Sequence, residues 1–304
     1  MTTIKNYLSL VKFSHTIFAM PFALIGFFIG IFQYKQYNLP DSIDWRQDMS
    51  NSVFWSKALK FVLVLICMIT ARSAAMAFNR WLDKNFDAKN PRTAIREIPA
   101  GIISSNSALF FVIISCIFFM ISTFFINKIC FYLSPLALFI ILFYSYTKRF
   151  TPLCHLVLGL GLALAPIGAY LAVTGRFDVL PLLFSFAVLC WVSGFDIIYA
   201  LQDIDFDRSQ NLQSIPALLG KKKALLVSKL LHVVSATLII SAGYVSNGGW
   251  LYFLGTSFFV GMLIYQHSIV KPNDLRRVNL AFMTANGIAS VVFSVFVILD
   301  LFLK

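Results

Sequence analysis

Charge is what this chain has least of. Only 12% of its 304 residues are Asp, Glu, Lys or Arg, against about a quarter in an ordinary soluble domain. With 59% apolar residues and a mean hydropathy of +0.80, a soluble fold is excluded. Cysteine is scarce too. The five (Cys67, Cys116, Cys130, Cys154, Cys190) lie in or beside apolar runs without C-x-x-C or other metal spacing, so they read as small buried hydrophobes. Short alternating segments separated by turns are missing, which sets aside a membrane barrel in favour of helices. A basic flank, Lys5 and Lys12, precedes the first apolar run, but no small-residue cleavage site follows between Lys35 and Trp45. That run therefore reads as a retained first span rather than a signal peptide. Acidic residues are the rarer sign, 13 against 25 basic, for a net charge of +12. In a soluble protein this balance would point to nucleic acid. Here the basic residues occupy short loops between apolar spans, so membrane topology accounts for them and no nucleic-acid partner is expected.

What the chain does have is long apolar runs. About 20 apolar residues cross a bilayer as a helix, and nine runs qualify: roughly 13–33, 58–78, 105–126, 129–146, 154–174, 179–200, 224–245, 250–267 and 279–303. The predicted fold class is an all-α polytopic membrane helical bundle of about nine transmembrane helices, forming one membrane-embedded domain over 1–304. Little more than Asn127-Lys128 separates the third and fourth runs, which forces an antiparallel hairpin. Most Lys and Arg fall on one side of this topology, leaving Lys35, Arg46, Lys57, Lys60, Lys128, Arg176 and Lys304 on the other. The richer side is the cytoplasmic one.

The few acidic residues are clustered. Asn79, Asp83 and Asp87 recur every four residues, and if the second span runs on through them they stack on one helical face. Far along the chain Asp196, Tyr199, Asp203 and Asp207 share a face in the same way, while Asp205 lies about 200° off it and reads as solvated. A single cluster could be a solvated helix end; two matching clusters point to a shared device. Carboxylates a turn apart repel unless a cation lies between them, and Mg²⁺ takes a few carboxylates together with substrate phosphate oxygens. The clusters follow spans two and six, so both face the same side.

Basic residues stand nearby. Arg92 and Arg96 follow the first cluster and suit a diphosphate, whereas Lys148 and Arg149 after the fourth span are explained equally well as topology signals. Arg72 lies seven residues before Asn79 within a span, where an unpaired cation costs several kcal/mol, a cost that a bound anion would offset. His15 at the entry to the first span reads as an amphipathic interfacial residue rather than one with a direct role. Gly159, Gly161, Pro166 and Gly168 in the fifth span allow close helix approach or a cavity wall. Lys221, Lys222 and Lys223 suit anionic lipid. Asn279 and Asn286 could hydrogen-bond to neighbouring helices, without chemistry. A secondary transporter built on an internal repeat would also carry two similar polar helices, although its acids would lie near the midplane rather than at span ends. A non-catalytic lipid-binding protein is the third class, and two metal-type clusters fit it poorly.

The patterns Asn79-x-x-x-Asp83-x-x-x-Asp87 and Asp196-x-x-Tyr199-x-x-x-Asp203-x-x-x-Asp207 resemble the two signatures of the UbiA superfamily of intramembrane aromatic prenyltransferases. The Tyr144–Thr151 stretch with Lys148-Arg149 resembles that family's segment after the fourth helix. Asn79-Arg80 followed by Asn90-Pro91-Arg92-Thr93 and Arg96 is most similar to its 4-hydroxybenzoate polyprenyltransferases, including relatives serving menaquinone synthesis, although many members carry Asp where this chain has Arg80. The resemblance implies Mg²⁺-dependent transfer of a polyprenyl group from polyprenyl diphosphate to an aromatic acid acceptor in quinone biosynthesis. It further implies an integral protein of the inner membrane, in contact with membrane lipid, whose site faces the cytoplasm. By the same resemblance Asn79, Asp83 and Asp87 hold one metal and Asp203 and Asp207 another. Arg72, Lys148 and Arg149 would bind the diphosphate, and Asp196, Tyr199 and Arg149 would serve catalysis.

Overall fold

In hydrocarbon every backbone N–H and C=O must be satisfied within the segment, so spans of this composition become helices. The structure, a computed structural model, describes residues 2–11, 18–38 and 51–304. Lys12, His15 and the first residues of the span expected at 13–33 lie outside the described residues, as does most of the stretch between Lys35 and Trp45. The helices are α1 (Thr2–Leu10), α2 (Met20–Asn38), α3 (Asn51–Leu82), α4 (Lys84–Lys89), α5 (Ser105–Ile126), α6 (Lys128–Thr147), α7 (Cys154–Thr174), α8 (Val179–Ala200), α9 (Ile204–Ser209), α10 (Ile215–Val245), α11 (Trp250–Ile269) and α12 (Asn286–Leu303). A 3₁₀ turn, Leu201–Asp203, joins α8 to α9, and a π-helical segment, Leu280–Ala285, leads into α12.

By length and composition 7 helical segments can cross a bilayer, from Trp55–Leu82 to Leu280–Leu303. The apolar part of α2, Met20–Gln33, and the 20-residue α11 supply the remaining expected spans. Large apolar side chains cover the outside: Phe110, Phe118, Phe124 and Phe125 on α5, and Tyr132, Leu136 and Phe139 on α6, are all exposed. An apolar surface of this extent is compatible with lipid and not with water. The protein is an integral membrane protein.

Because lipid tails are as apolar as the core, close packing and internal hydrogen bonds hold such a bundle together. Gly159 brings α7 onto α8: a β-carbon there would run into Ser193 Oγ and lie 2.5 Å from the Leu189 carbonyl. Gly26 does the same between α2 and α7, against the Pro166 carbonyl. The buried Trp191 of α8 donates through Nε1 to Asn286 Oδ1 at 2.8 Å, and Gln266 Nε2 of α11 donates to the same oxygen at 2.8 Å. Asn286 Nδ2 in turn donates to the carbonyls of Ala281 and Phe282, each at 3.0 Å, fixing the π segment. Asn127 ends α5 and caps α6, its Oδ1 accepting from the Cys130 amide at 2.9 Å, which makes the expected hairpin.

One expectation changes. The helix carrying Asn79, Asp83 and Asp87 does not run on unbroken, because α3 stops at Leu82 and Asp83 takes φ −94°, ψ 9° before the short α4. The second cluster breaks in the same way at Asp203, with φ −107°, ψ 6° before α9. Both short helices have 6 residues. Adjacent carboxylates on one helical face repel, and a break at the middle Asp lets each turn toward its own cation. Hydrogen bonds from Asp83 N to Asn79 O at 2.9 Å and from Asp87 N to Asp83 O at 2.8 Å keep the four-residue register through the break.

Candidate active site

The two breaks face each other across the end of α6. Arg149 Nη2 donates to Asp83 Oδ1 at 3.2 Å and to the Leu82 carbonyl at 3.0 Å, and its guanidinium lies over the rings of Tyr146 and Phe86. Its neighbour Lys148 pairs with Asp207 of the other cluster at 2.6 Å. Consecutive residues thus hold opposite clusters. The loop after α4 completes the exchange: Arg96 Nη1 grips both oxygens of Asp87, at 2.7 and 2.9 Å. Arg92 crosses to the second cluster, where Nε donates to Asp203 Oδ1 at 3.1 Å, Nη2 pairs with Oδ2, and Nη1 donates to the Tyr199 hydroxyl at 2.8 Å.

Burial sets the electrostatics. Desolvation pushes the Asp83 carboxyl above its usual range despite Arg149. Burial alone would pull Lys148 down, but the Asp207 carboxylate outweighs it and Lys148 ends above the ordinary lysine value. Arg92 is likewise held up by Asp203 and Tyr199 against its own desolvation.

These side chains surround a cavity of about 300 Å³. Of the predicted site residues, Arg72, Asn79, Asp83, Asp87, Lys148, Arg149, Asp196, Tyr199 and Asp203 line it. Asp207 is the exception: it is fully buried, closed off by Lys148 and by Ser214 Oγ, which donates to its Oδ2 at 2.9 Å. Asp205 is exposed, as its position off the stripe predicts. Arg80, which stands where many UbiA members carry Asp, is buried at 3% exposure and pairs with Glu97, the chain's only glutamate, at 3.5 Å. A second cavity of about 380 Å³, lined by apolar residues of α3, α5, α6 and α7, shares Arg72, Met76, Tyr144, Leu158 and Leu162 with the first. Arg72 therefore stands at the junction, its Nε buried without a hydrogen-bond partner among the described residues.

Four carboxylates and the Asn79 amide are hard oxygen donors of the kind Mg²⁺ takes. In this arrangement each carboxylate is engaged by a cation, and no three described His, Cys, Asp or Glu side chains converge on one point. The donor chemistry fits the metal, and an ion would have to draw carboxylates away from Arg and Lys.

Several residues around the cavity escaped sequence reasoning. His155 at the start of α7 pairs with Asp196, 41 positions away. Phe282 of the π segment stacks near Tyr199 with ring centroids 4.2 Å apart, and Phe18 packs against Phe195 and Phe282. No spacing signal links these residues, because each pair joins different spans. Arg92 and Arg96 were visible as basic residues, but their individual partners were not.

A membrane bundle with two facing Asp-bearing helix breaks around a cationic pocket, beside an apolar cavity, defines a class of enzyme that works on an anionic lipid head. Residues 49–288 match the UbiA prenyltransferase family. The chain belongs to that family and is a prenyltransferase. Among similar proteins is the 4-hydroxybenzoate octaprenyltransferase of Tolumonas auensis, 29% identical over 237 residues, covering 77% of this chain and 82% of that one. The protein of the same description from Aliivibrio salmonicida is 29% identical over 241 residues, covering 79% and 82%. Among solved structures, a UbiA homolog from Aeropyrum pernix K1 in its apo form superposes with a TM-score of 0.75 at 29% identity, covering 95% of this chain and 97% of that one. A UbiA homolog from Archaeoglobus fulgidus bound to GPP and Mg²⁺ shares the fold, with a TM-score of 0.71 at 17% identity over 97% and 99%.

Proposed function

We propose that the protein transfers a polyprenyl group from polyprenyl diphosphate to an aromatic acid, 4-hydroxybenzoate in the first instance, for quinone biosynthesis. The site faces the cytoplasm from the inner membrane, with membrane lipid around the bundle. The observation that carries this reading is the pair of Asp-bearing breaks, each neutralised by cations, around one cavity that shares lining residues with an apolar one. The relatives named for octaprenyl transfer to 4-hydroxybenzoate support the choice of substrates.

A diphosphate entering the cavity meets Arg92, Arg96, Lys148 and Arg149, all now spent on carboxylates, and Arg72, which has none among the described residues. The cations can turn to the phosphate oxygens, leaving Asn79, Asp83, Asp87 and Asp203 to hold metal; Asp207 joins them only when Lys148 leaves it. Bound Mg²⁺ supplies charge neutralisation for the leaving diphosphate. The allylic C–O bond breaks with its electron pair passing to the diphosphate, whose new charge the guanidinium and ammonium groups stabilise in a site poor in water. The isoprenoid tail lies in the apolar cavity. The acceptor ring fits against Phe195 and Phe282, with Tyr199 and Asp196 beside it.

Purified protein incubated with a prenyl diphosphate, Mg²⁺ and a panel of aromatic acids tests this. The expected result is prenylated 4-hydroxybenzoate; preference for a dihydroxynaphthoate would move the assignment to menaquinone synthesis, and product with no member of the panel would refute it.

A further inference from the structure

Four aspartates of the site are each engaged by Lys or Arg, but Asp196 is held differently. Its Oδ2 lies 2.7 Å from Nδ1 of His155, a residue only 2% exposed in the first turn of α7. The pair is built into the fold. Gly159, one turn further along α7, admits α8 to close approach, and Ser193 Oγ of α8 donates to the His155 carbonyl at 3.1 Å. Across the ring, the Ile215 amide donates to Nε2 at 3.4 Å. Facing a carboxylate, Nδ1 carries a hydrogen and donates it to Asp196.

We infer that His155 is a positioning residue for Asp196, and that Asp196 receives the ring proton that completes prenyl transfer. The inference rests on the reaction proposed above. The buried His155 fixes the orientation of the carboxylate through one oxygen, and this separates Asp196 from the four aspartates that face Lys and Arg. With Oδ2 committed to His155, Oδ1 remains for the cavity, toward which the side chain is 23% exposed. Phe195, Val192, Leu158 and Phe282 line the same cavity and suit an aromatic ring.

The atoms balance without any added reagent. The diphosphate has left with the C–O pair, and the ring carbon beside the hydroxyl forms its bond to the allylic carbon. The C–H bond at that carbon then breaks, its pair restores aromaticity, and the proton passes to Asp196 Oδ1 and on to water at the mouth of the cavity. His155 keeps its own proton throughout.

Three proteins test this: wild type, His155→Leu and His155→Asn, the last because Asn Nδ2 occupies the place of His Nδ1. Each is assayed with 4-hydroxybenzoate, or 1,4-dihydroxynaphthoate if wild type prefers it, carrying hydrogen or deuterium at the carbon to be alkylated. His155→Leu should lose about 10- to 100-fold in kcat with an unchanged KM for the prenyl diphosphate. It should also acquire a primary deuterium isotope effect, because proton removal has become limiting. His155→Asn should recover most of the rate. Full activity in His155→Leu, or equal losses in both variants without an isotope effect, would overturn the inference. If His155→Leu does not fold, Asp196→Asn decides: the same isotope effect and rate loss are expected, and normal turnover overturns the proposal. A wild type that prenylates no aromatic acid would refute the underlying function, and that failure shows before any variant is made.

Discussion

At the scale of single residues, the site is a set of exchanged partners: a metal and a diphosphate can enter only if carboxylates and cations let go of each other. Asp83 shows the cost. Its carboxyl is pushed up by burial against the pull of Arg149, and holding a metal requires the ionised form. Apparent Mg²⁺ affinity should therefore fall as pH drops through that raised pKa and hold above it; titrating Mg²⁺ at several pH values checks this, and a pH-independent affinity would contradict it. Arg72 makes a second case. Its buried Nε has no hydrogen-bond partner among the described residues, so Arg72→Leu should raise the apparent KM for the prenyl diphosphate about tenfold or more while the protein stays folded. Kinetics indistinguishable from wild type would leave Arg72 a structural role. Which acids and bases gather at the cavity was legible in the sequence, since oxygen-bearing side chains at four-residue intervals stand out in a chain this poor in charge. Which cation holds which carboxylate was not. Arg92 reaches Asp203 and Lys148 reaches Asp207 across different spans, and no local spacing encodes such a pairing.

At the scale of elements, the positions of α7 and α8 decide whether the site forms at all. Gly159 sits where α8 presses against α7, and any β-carbon there meets the Leu189 carbonyl and Ser193 Oγ. Overpacking of this kind costs about 1–3 kcal/mol. Gly159→Val should lower thermal stability in detergent and separate His155 from Asp196, reducing activity more than stability alone explains; unchanged melting and turnover would show that the helices have room. The breaks at Asp83 and Asp203 belong to this scale as well. Periodicity marked the faces correctly, yet it carried the helix straight through both clusters. A periodic pattern reports which side chains share a face, and the four-residue register survives these breaks, so the pattern could not distinguish a continuous helix from two short ones. The π segment before α12 was hidden for a related reason: Asn286 was visible as a polar residue able to bond to a neighbouring helix, but the carbonyls it caps became apparent only from the fold.

At the scale of the whole molecule, the chain brings two stretches more than a hundred residues apart to one end of a membrane bundle. The hydropathy pattern was enough for this architecture, because in lipid only helices satisfy the backbone and the number of crossings fixes the side on which each loop emerges. Lys89 donates to Gln210 at 3.4 Å, so the loops after both clusters meet at the surface. Cysteines introduced at Lys89 and Arg208 should label from the same side of the membrane, the cytoplasmic one; labelling from opposite sides would contradict the shared site. The most direct measurement is a double-mutant comparison of prenyl transfer by wild type, Asp83→Asn, Asp203→Asn and the pair combined, at saturating Mg²⁺, with Asp205→Asn as control. Each single substitution should cost more than about 100-fold, as expected when stabilisation of a developing anion is lost. The double mutant should be little worse than either single, because both clusters serve one diphosphate and fail as a unit. Asp205→Asn should retain most of its activity. Losses that multiply in the double mutant, or near-normal turnover in either single, would contradict the claim that the two clusters form a single site.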